Sequence, residues 1–200
     1  MRFLLATRNP GKLAELESLL ADLPVELVSL EAFPEVPEAV EDGDTFRENA
    51  RKKALHYSRA TGLPAIADDS GLTIEALGGW PGVRSSRVAQ SDPERIAKVL
   101  QALREFPTPE RRRAAFECAV ACRLPSGEWI EGEGRVEGLI SLQPAGSGGF
   151  GYDPIFFYPP AGKTFAEMGP AEKNAVSHRG RALADFKRRL EAFFAALPRQ

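Results

Sequence analysis

Apolar residues along this chain fall into short runs separated by amphipathic stretches, the pattern of strands alternating with helices. Residues 2–6 read as a buried strand. From there Leu13, Leu16, Leu19, Leu20 and Leu23 line one side of a helix that Asn9 can cap and Pro10 can open. A strand around residues 25–28 precedes a Pro- and Glu-rich stretch, 33–42, that carries no period. Thr45-Phe46-Arg47-Glu48 is a capping box; Phe46, Ala50 and Tyr57 form the apolar stripe of the helix it starts, flanked by Asn49 and Lys53. Thr61-Gly62 and Pro64 stop that helix. Residues 63–67 predict a short buried strand that gives way at Asp68-Asp69-Ser70-Gly71, where Gly71 marks a bend into a loop.

Further on, Ser91 or Asp92 caps a helix carrying Ile96, Val99, Leu100 and Leu103. Residues 114–124 and 129–136 read as a hairpin, residues 155–158 as a last strand, and Leu183, Phe186, Leu190, Phe193 and Phe194 as the core face of a terminal helix. Two glycine-dense loops, residues 78–87 and 146–154, bring backbone close to something. The class this predicts is α/β.

Composition narrows the partners. Two hundred residues, 43% of them hydrophobic, suffice for one domain with a sizeable core, here taken as residues 1–200. A formal charge of −2 gives no general attraction to nucleic acid or to an acidic membrane, so any polyanionic ligand must meet a local cluster of cations. Cys118 and Cys122 are the two cysteines; four strand residues apart they are separated by about 13 Å, too far for a disulfide, which fits a reduced cytoplasmic setting. No apolar run approaches the roughly 20 residues of a membrane span.

Candidate chemistry gathers at three places. Asp68 and Asp69 are adjacent acids at a strand end; side chains alternate along a strand, so both can serve one metal only if the backbone turns there, and the plainer alternative is a solvated capping turn. Thr7-Arg8-Asn9-Pro10-Gly11-Lys12 joins strand to helix, and the N–H groups of a helix start with a neighbouring lysine can seat a phosphate, although for this segment taken alone a capped helix with a surface lysine is the better explanation. It is not a Walker loop, since Leu13 stands where a magnesium-binding Ser or Thr would be. Lys53 beside an apolar stripe either snorkels or reaches a cleft.

Six segments, in order, resemble the Ham1/inosine triphosphate pyrophosphatase family along nearly the whole chain: Thr7 to Lys12, Glu48-Asn49-Ala50-Arg51-Lys52-Lys53-Ala54, Ala67-Asp68-Asp69-Ser70-Gly71-Leu72, Leu77-Gly78-Gly79-Trp80-Pro81-Gly82, Gly149-Phe150-Gly151-Tyr152-Asp153-Pro154 and Lys173-Asn174-Ala175-Val176-Ser177-His178-Arg179. The resemblance implies a Maf-like central mixed sheet with flanking helices, two lobes around a cleft and commonly a homodimer. It also implies magnesium-dependent hydrolysis of ITP, dITP or XTP to monophosphate and pyrophosphate. Carried onto this sequence, Glu41, Asp68 and Asp69 surround the magnesium ion and Asp69 activates water. Thr7, Arg8, Asn9, Pro10, Gly11, Lys12, Asn49, Lys53, Ser70 and Lys173 belong to the substrate site, with Lys12, Lys53 and Lys173 as its cations. Phe150 stacks on the base, with Gly151, Tyr152, Asp153, Ser177, His178 and Arg179 around it, Arg179 donating to a 6-oxo group. Two rivals stay open: a Maf-like pyrophosphatase of other base preference, and a nucleotide-binding module without chemistry. Paired carboxylates argue against the second, because they repel phosphate unless a metal intervenes.

Overall fold

The structure is a computed structural model, and it describes residues 1–196. In chain order the elements are β1 (Arg2–Leu5), α1 (Pro10–Leu20), β2 (Glu26–Ser29), α2 (Phe46–Thr61), β3 (Ala65–Ile74), α3 (Asp92–Ala102), β4 (Arg113–Arg123), β5 (Trp129–Ile140), β6 (Phe156–Tyr158), β7 (Lys163–Thr164), α4 (Pro170–Val176) and α5 (His178–Ala196). The strands form one seven-stranded sheet in the order β2-β1-β3-β4-β5-β6-β7. It is mixed: β1 runs parallel to β2 and β3, whereas β6 runs antiparallel to β5 and β7. By its contacts the chain forms two compact units, the first from Met1–Asp69, Cys118–Gly134 and the residues from Arg179 onward, the second from Ser70–Glu117 and Arg135–His178.

In the first unit the two-residue period of the strands sorts side chains between helices. Phe3, Leu5 and Ile66 enter a cluster with Leu16 and Leu20 of α1 and Leu183, Phe186 and Leu190 of α5. Leu4, Ala65 and Ala67 join Ala50, Ala54 and Tyr57 of α2 instead. Both helix starts are capped as the sequence predicts: Asn9 Oδ1 accepts the Lys12 amide at 3.0 Å, and Thr45 Oγ1 accepts that of Glu48 at 3.1 Å. Gly132 lets α5 lie directly on β5, since a Cβ there would sit 2.2 Å from the Ala182 carbonyl oxygen.

The second unit is built on Leu72, Ile74, Phe116, Val136, Ile140, Phe156 and Phe165, covered by Ile96 and Val99 of α3. Its loops are pinned by Arg112, 4% exposed, whose guanidinium donates to the carbonyls of Leu103, Phe106, Ile140 and Ser141. Four carbonyls in place of a carboxylate satisfy this buried fork.

Three elements differ from expectation. β3 does not stop at Gly71: Leu72 and Ile74 keep the alternation and are fully buried, and the Leu72 N–H donates to Ser85 Oγ at 2.9 Å, so the extended backbone is stabilised through the acidic pair. The segment before the terminal helix is a separate helix, α4, opened by Pro170 and closed at Ser177. The short β7 pairs with β6, where no strand was expected.

Glu131 of β5 clamps α2 through Arg47 and Arg51, accepting two bonds from each at 2.7–3.1 Å. The Arg47 hydrogen bond, aided by Arg51 and opposed by desolvation, holds the Glu131 carboxyl down at about 2. A depressed folded-state value means the clamp stabilises fully above the ordinary glutamate range, about 4.3, and is lost as pH falls toward about 2. Urea melts of Glu131→Gln should therefore show lower stability than the parent at pH 7, with the difference shrinking below about pH 4; a difference independent of pH would contradict the clamp.

Candidate functional site

Ile66 pairs with Leu5, the last residue of β1, so Asp68 and Asp69 project past the carboxyl end of that parallel strand, beside the start of α1. Open α/β sheets take their ligands at such ends. Strand alternation continues through the pair. Asp68 follows Ile66 toward α1 and α5, where its Oδ2 lies 3.0 Å from Lys12 Nζ and accepts from Arg179 Nε and Nη2 at 3.3 Å. Asp69 follows Ala67 toward α2, where its Oδ2 accepts from Asn49 Nδ2 at 3.0 Å and its Oδ1 lies 3.9 Å from Lys53 Nζ. Lys53 also pairs with Glu41 Oε1 at 2.9 Å. The turn once needed to aim both aspartates at one metal is therefore absent; they face different helices because the strand stays straight.

The two carboxyls titrate in opposite directions. Burial works to raise that of Asp68, but Lys12, Arg179 and Lys53 outweigh it and hold the group well below the usual range. For Asp69 burial prevails over Lys53 and Lys12, with Glu41 adding repulsion, and its carboxyl is pushed up. Lys53 is held above the ordinary lysine range, the charges of Asp68, Asp69 and Glu41 overcoming its desolvation. Asp68 Oδ1 is buried with no hydrogen-bond partner among the described residues. A spare oxygen on an ionised, buried carboxylate suits a hard cation. Among the described residues no three His, Cys, Asp or Glu gather closely enough to hold a metal by themselves. Magnesium does not demand such a cage, since it keeps waters and shares substrate phosphates with one or two carboxylates.

At the helix start the cradle is narrower than expected. The Asn9 amide is taken by Thr7 Oγ1 and the Lys12 amide by Asn9 itself, and Pro10 has no N–H, which leaves Gly11 as the available amide of that turn. Arg8 donates to the Val36 carbonyl at 2.8 Å and so ties the irregular stretch after β2 to this turn.

The second unit holds the other predicted group. Lys173 Nζ lies 2.7 Å from Asp153 Oδ2 and 4.7 Å from the centroid of the half-buried Phe150 ring. The same carboxylate oxygen accepts the Phe150 amide at 2.9 Å, and the Gly151 amide donates to Asp92 Oδ2 at 2.7 Å. Ser177 closes α4 and His178 opens α5, where its ring stacks on Phe116 at 4.6 Å. Ser70 sits half-buried on β3 after Asp69. Two of these residues have protein partners of their own. Tyr152 is a core residue: its phenol is 4% exposed, donates to the Ser85 carbonyl at 2.8 Å and is pushed by burial up to about 12. Arg179 is 1% exposed and donates to Asp68 and to Glu15 of α1, so in this structure its guanidinium serves the carboxylates of the first unit. Glu15, unremarked in the sequence, follows Lys12 by three positions on α1, which puts both on one helix face.

A carboxylate pair flanked by cations, past the carboxyl end of β1 and next to a helix start, lies where α/β proteins of mixed sheet can seat a phosphorylated ligand. The Ham1 family model matches residues 3–189, and the chain belongs to that family. It is 51% identical over 189 residues to a protein of Geobacter sulfurreducens named dITP/XTP pyrophosphatase, covering 93% of this chain and 94% of that one. A Thermus thermophilus protein of the same name is 50% identical over 186 residues, covering 92% and 88%. The solved structure of a HAM1 protein from Coxiella burnetii superposes with a TM-score of 0.86 at 45% identity, covering 96% of this chain and 99% of the other.

Removing Arg179 leaves the buried Asp68 and half-buried Glu15 charges short of a partner, a change that costs about 3 kcal/mol or more. Arg179→Met should lower the unfolding free energy by that order in urea melts while leaving the ratio of turnover on dITP to that on dATP unmoved; a changed ratio in a protein of parental stability would return Arg179 to the base.

Proposed function

We propose that this chain hydrolyses the non-canonical purine triphosphates dITP, ITP and XTP to monophosphate and pyrophosphate, clearing them from the nucleotide pool. The observation that carries this reading is the group formed by Glu41, Asp68 and Asp69 with Lys12, Lys53 and Arg179, in a chain about half identical to proteins named for that activity. A triphosphate repels an incoming nucleophile, so its oxygens need cations. Lys12 and Lys53 are cations whose present partners are carboxylates, and each can exchange one for a phosphate oxygen when it arrives. Arg179, fixed between Asp68 and Glu15, keeps Asp68 ionised and in place. Asp69 takes up a proton more readily than an ordinary aspartate because burial raises its carboxyl, which suits it to deprotonate the attacking water. Asn49 orients it by holding Oδ2.

Magnesium fits Asp68, which would hold it with the oxygen it has to spare, the other positions falling to waters and substrate phosphates. Glu41 and Asp69, on the α2 side with Lys53, would act on the ion through its waters. Bound there, the ion would draw charge from the phosphate oxygens. On the second unit we read Phe150 as the stacking face for the purine, with Asp153, Lys173, Ser177 and His178 as polar contacts. An adenine presents a donor where a 6-oxo purine presents an acceptor, so donors set for the latter stay unpaired against it. A homodimer in the cytoplasm completes the reading, supported by the family resemblance and by two buried free thiols.

Asp69→Asn should lower turnover of dITP by about 10²–10⁴-fold with KM little changed, measured by pyrophosphate release; turnover near the parental rate removes Asp69 as the base. Chelation by EDTA should abolish pyrophosphate release and added magnesium restore it, and full activity in EDTA would exclude the metal role.

A further inference from the structure

We propose that Asp92 is a positioning residue for base recognition, acting through the Gly151 amide on the neighbouring Phe150 ring; this rests on the reading of Phe150 as the stacking face. In the sequence Asp92 is one of two candidates for capping α3, but Ser91 does that work, its Oγ accepting the Glu94 amide at 3.4 Å. The Asp92 carboxylate is thereby released for another use. Its Oδ1 pairs with Arg95, one turn further along α3, and its Oδ2 accepts the Gly151 amide at 2.7 Å across 59 residues of chain. Arg95 is anchored in turn by the Ala89 carbonyl at 3.1 Å.

What this bond holds is a left-handed turn in the loop. Gly151 has φ +63°, a conformation that side chains resist and that a donor bond on its own amide stabilises. Two successive amides are gripped by two carboxylates, Phe150 by Asp153 and Gly151 by Asp92. Asp153 is shared with Lys173, whose ammonium also lies over the Phe150 ring, so a ligand that engages Lys173 or Asp153 loosens that grip. Asp92 takes part in neither contact. Its bond therefore keeps the peptide after Phe150 fixed while the rest of the group rearranges around a base. Tyr152, tied to the Ser85 carbonyl, anchors the next residue in the same way. Pre-ordering of this kind strengthens binding by reducing what must be immobilised.

The test compares the full-length parent with Asp92→Ala and Asp92→Asn by pyrophosphate release from dITP, inhibition by inorganic tripolyphosphate, and calorimetric binding of dIMP. Asp92→Ala should raise KM for dITP about tenfold with kcat altered by less than about threefold, and weaken dIMP by about tenfold. Asp92→Asn, which keeps a weaker acceptor oxygen, should raise KM by about threefold. The tripolyphosphate constant should stay at the parental value in both, because it lacks a base; a merely destabilised protein would lose active fraction and kcat and leave KM alone. Parental KM in either variant, or a tripolyphosphate constant rising in step with KM, overturns the proposal. If the parent releases no pyrophosphate, the pyrophosphatase reading falls and the dIMP titration decides Asp92 by itself: about tenfold weaker binding in Asp92→Ala supports it, while equal binding, or none by the parent, overturns it.

Discussion

A carboxylate ionised inside the first unit, that of Asp68, constrains everything around it. Left alone, burial would drive it to the neutral form. Lys12 from the start of α1, Arg179 from the start of α5 and Lys53 from α2 keep it charged, and through it three helices are referred to one strand, β3. The chain, with a net charge of −2, thereby gathers cations where a polyanion could use them. Such a cluster gains little stability from its Coulomb energy once desolvation is counted.

Asp69, one residue on, lives under the opposite balance, and the difference comes from which helix each side chain meets. Ile66 and Asp68 look toward α1 and α5, Ala67 and Asp69 toward α2, whose small Ala50 and Ala54 allow close approach. One aspartate is thus locked as an anion and the other left readier to accept a proton. Pairs of titratable groups pushed apart in this way are the signature of divided roles in a site.

Local signals were the legible ones. The caps at Asn9 and Thr45, the leucine stripe of α1 and the hairpin of β4 and β5 follow from neighbours within a few residues, and the structure contains them. Gly71 misled because glycine permits a turn without requiring one, and the burial of Leu72 and Ile74 outweighed it. Pro170 was a readable helix opener that the motif around Lys173 obscured. The commitments of Arg179 to Asp68 and Glu15, 111 and 164 residues away, and of Asp92 to Gly151, 59 residues away, have no local signature at all. The motif singled out Arg179 but could not say which of its neighbours it holds.

The most direct measurement of the central claim is product analysis with dITP, XTP, dGTP and dATP, each with magnesium. The account requires pyrophosphate and the monophosphate from dITP and XTP, with dATP and dGTP cleaved far more slowly. Orthophosphate as the product, or equal rates on all four, would contradict it.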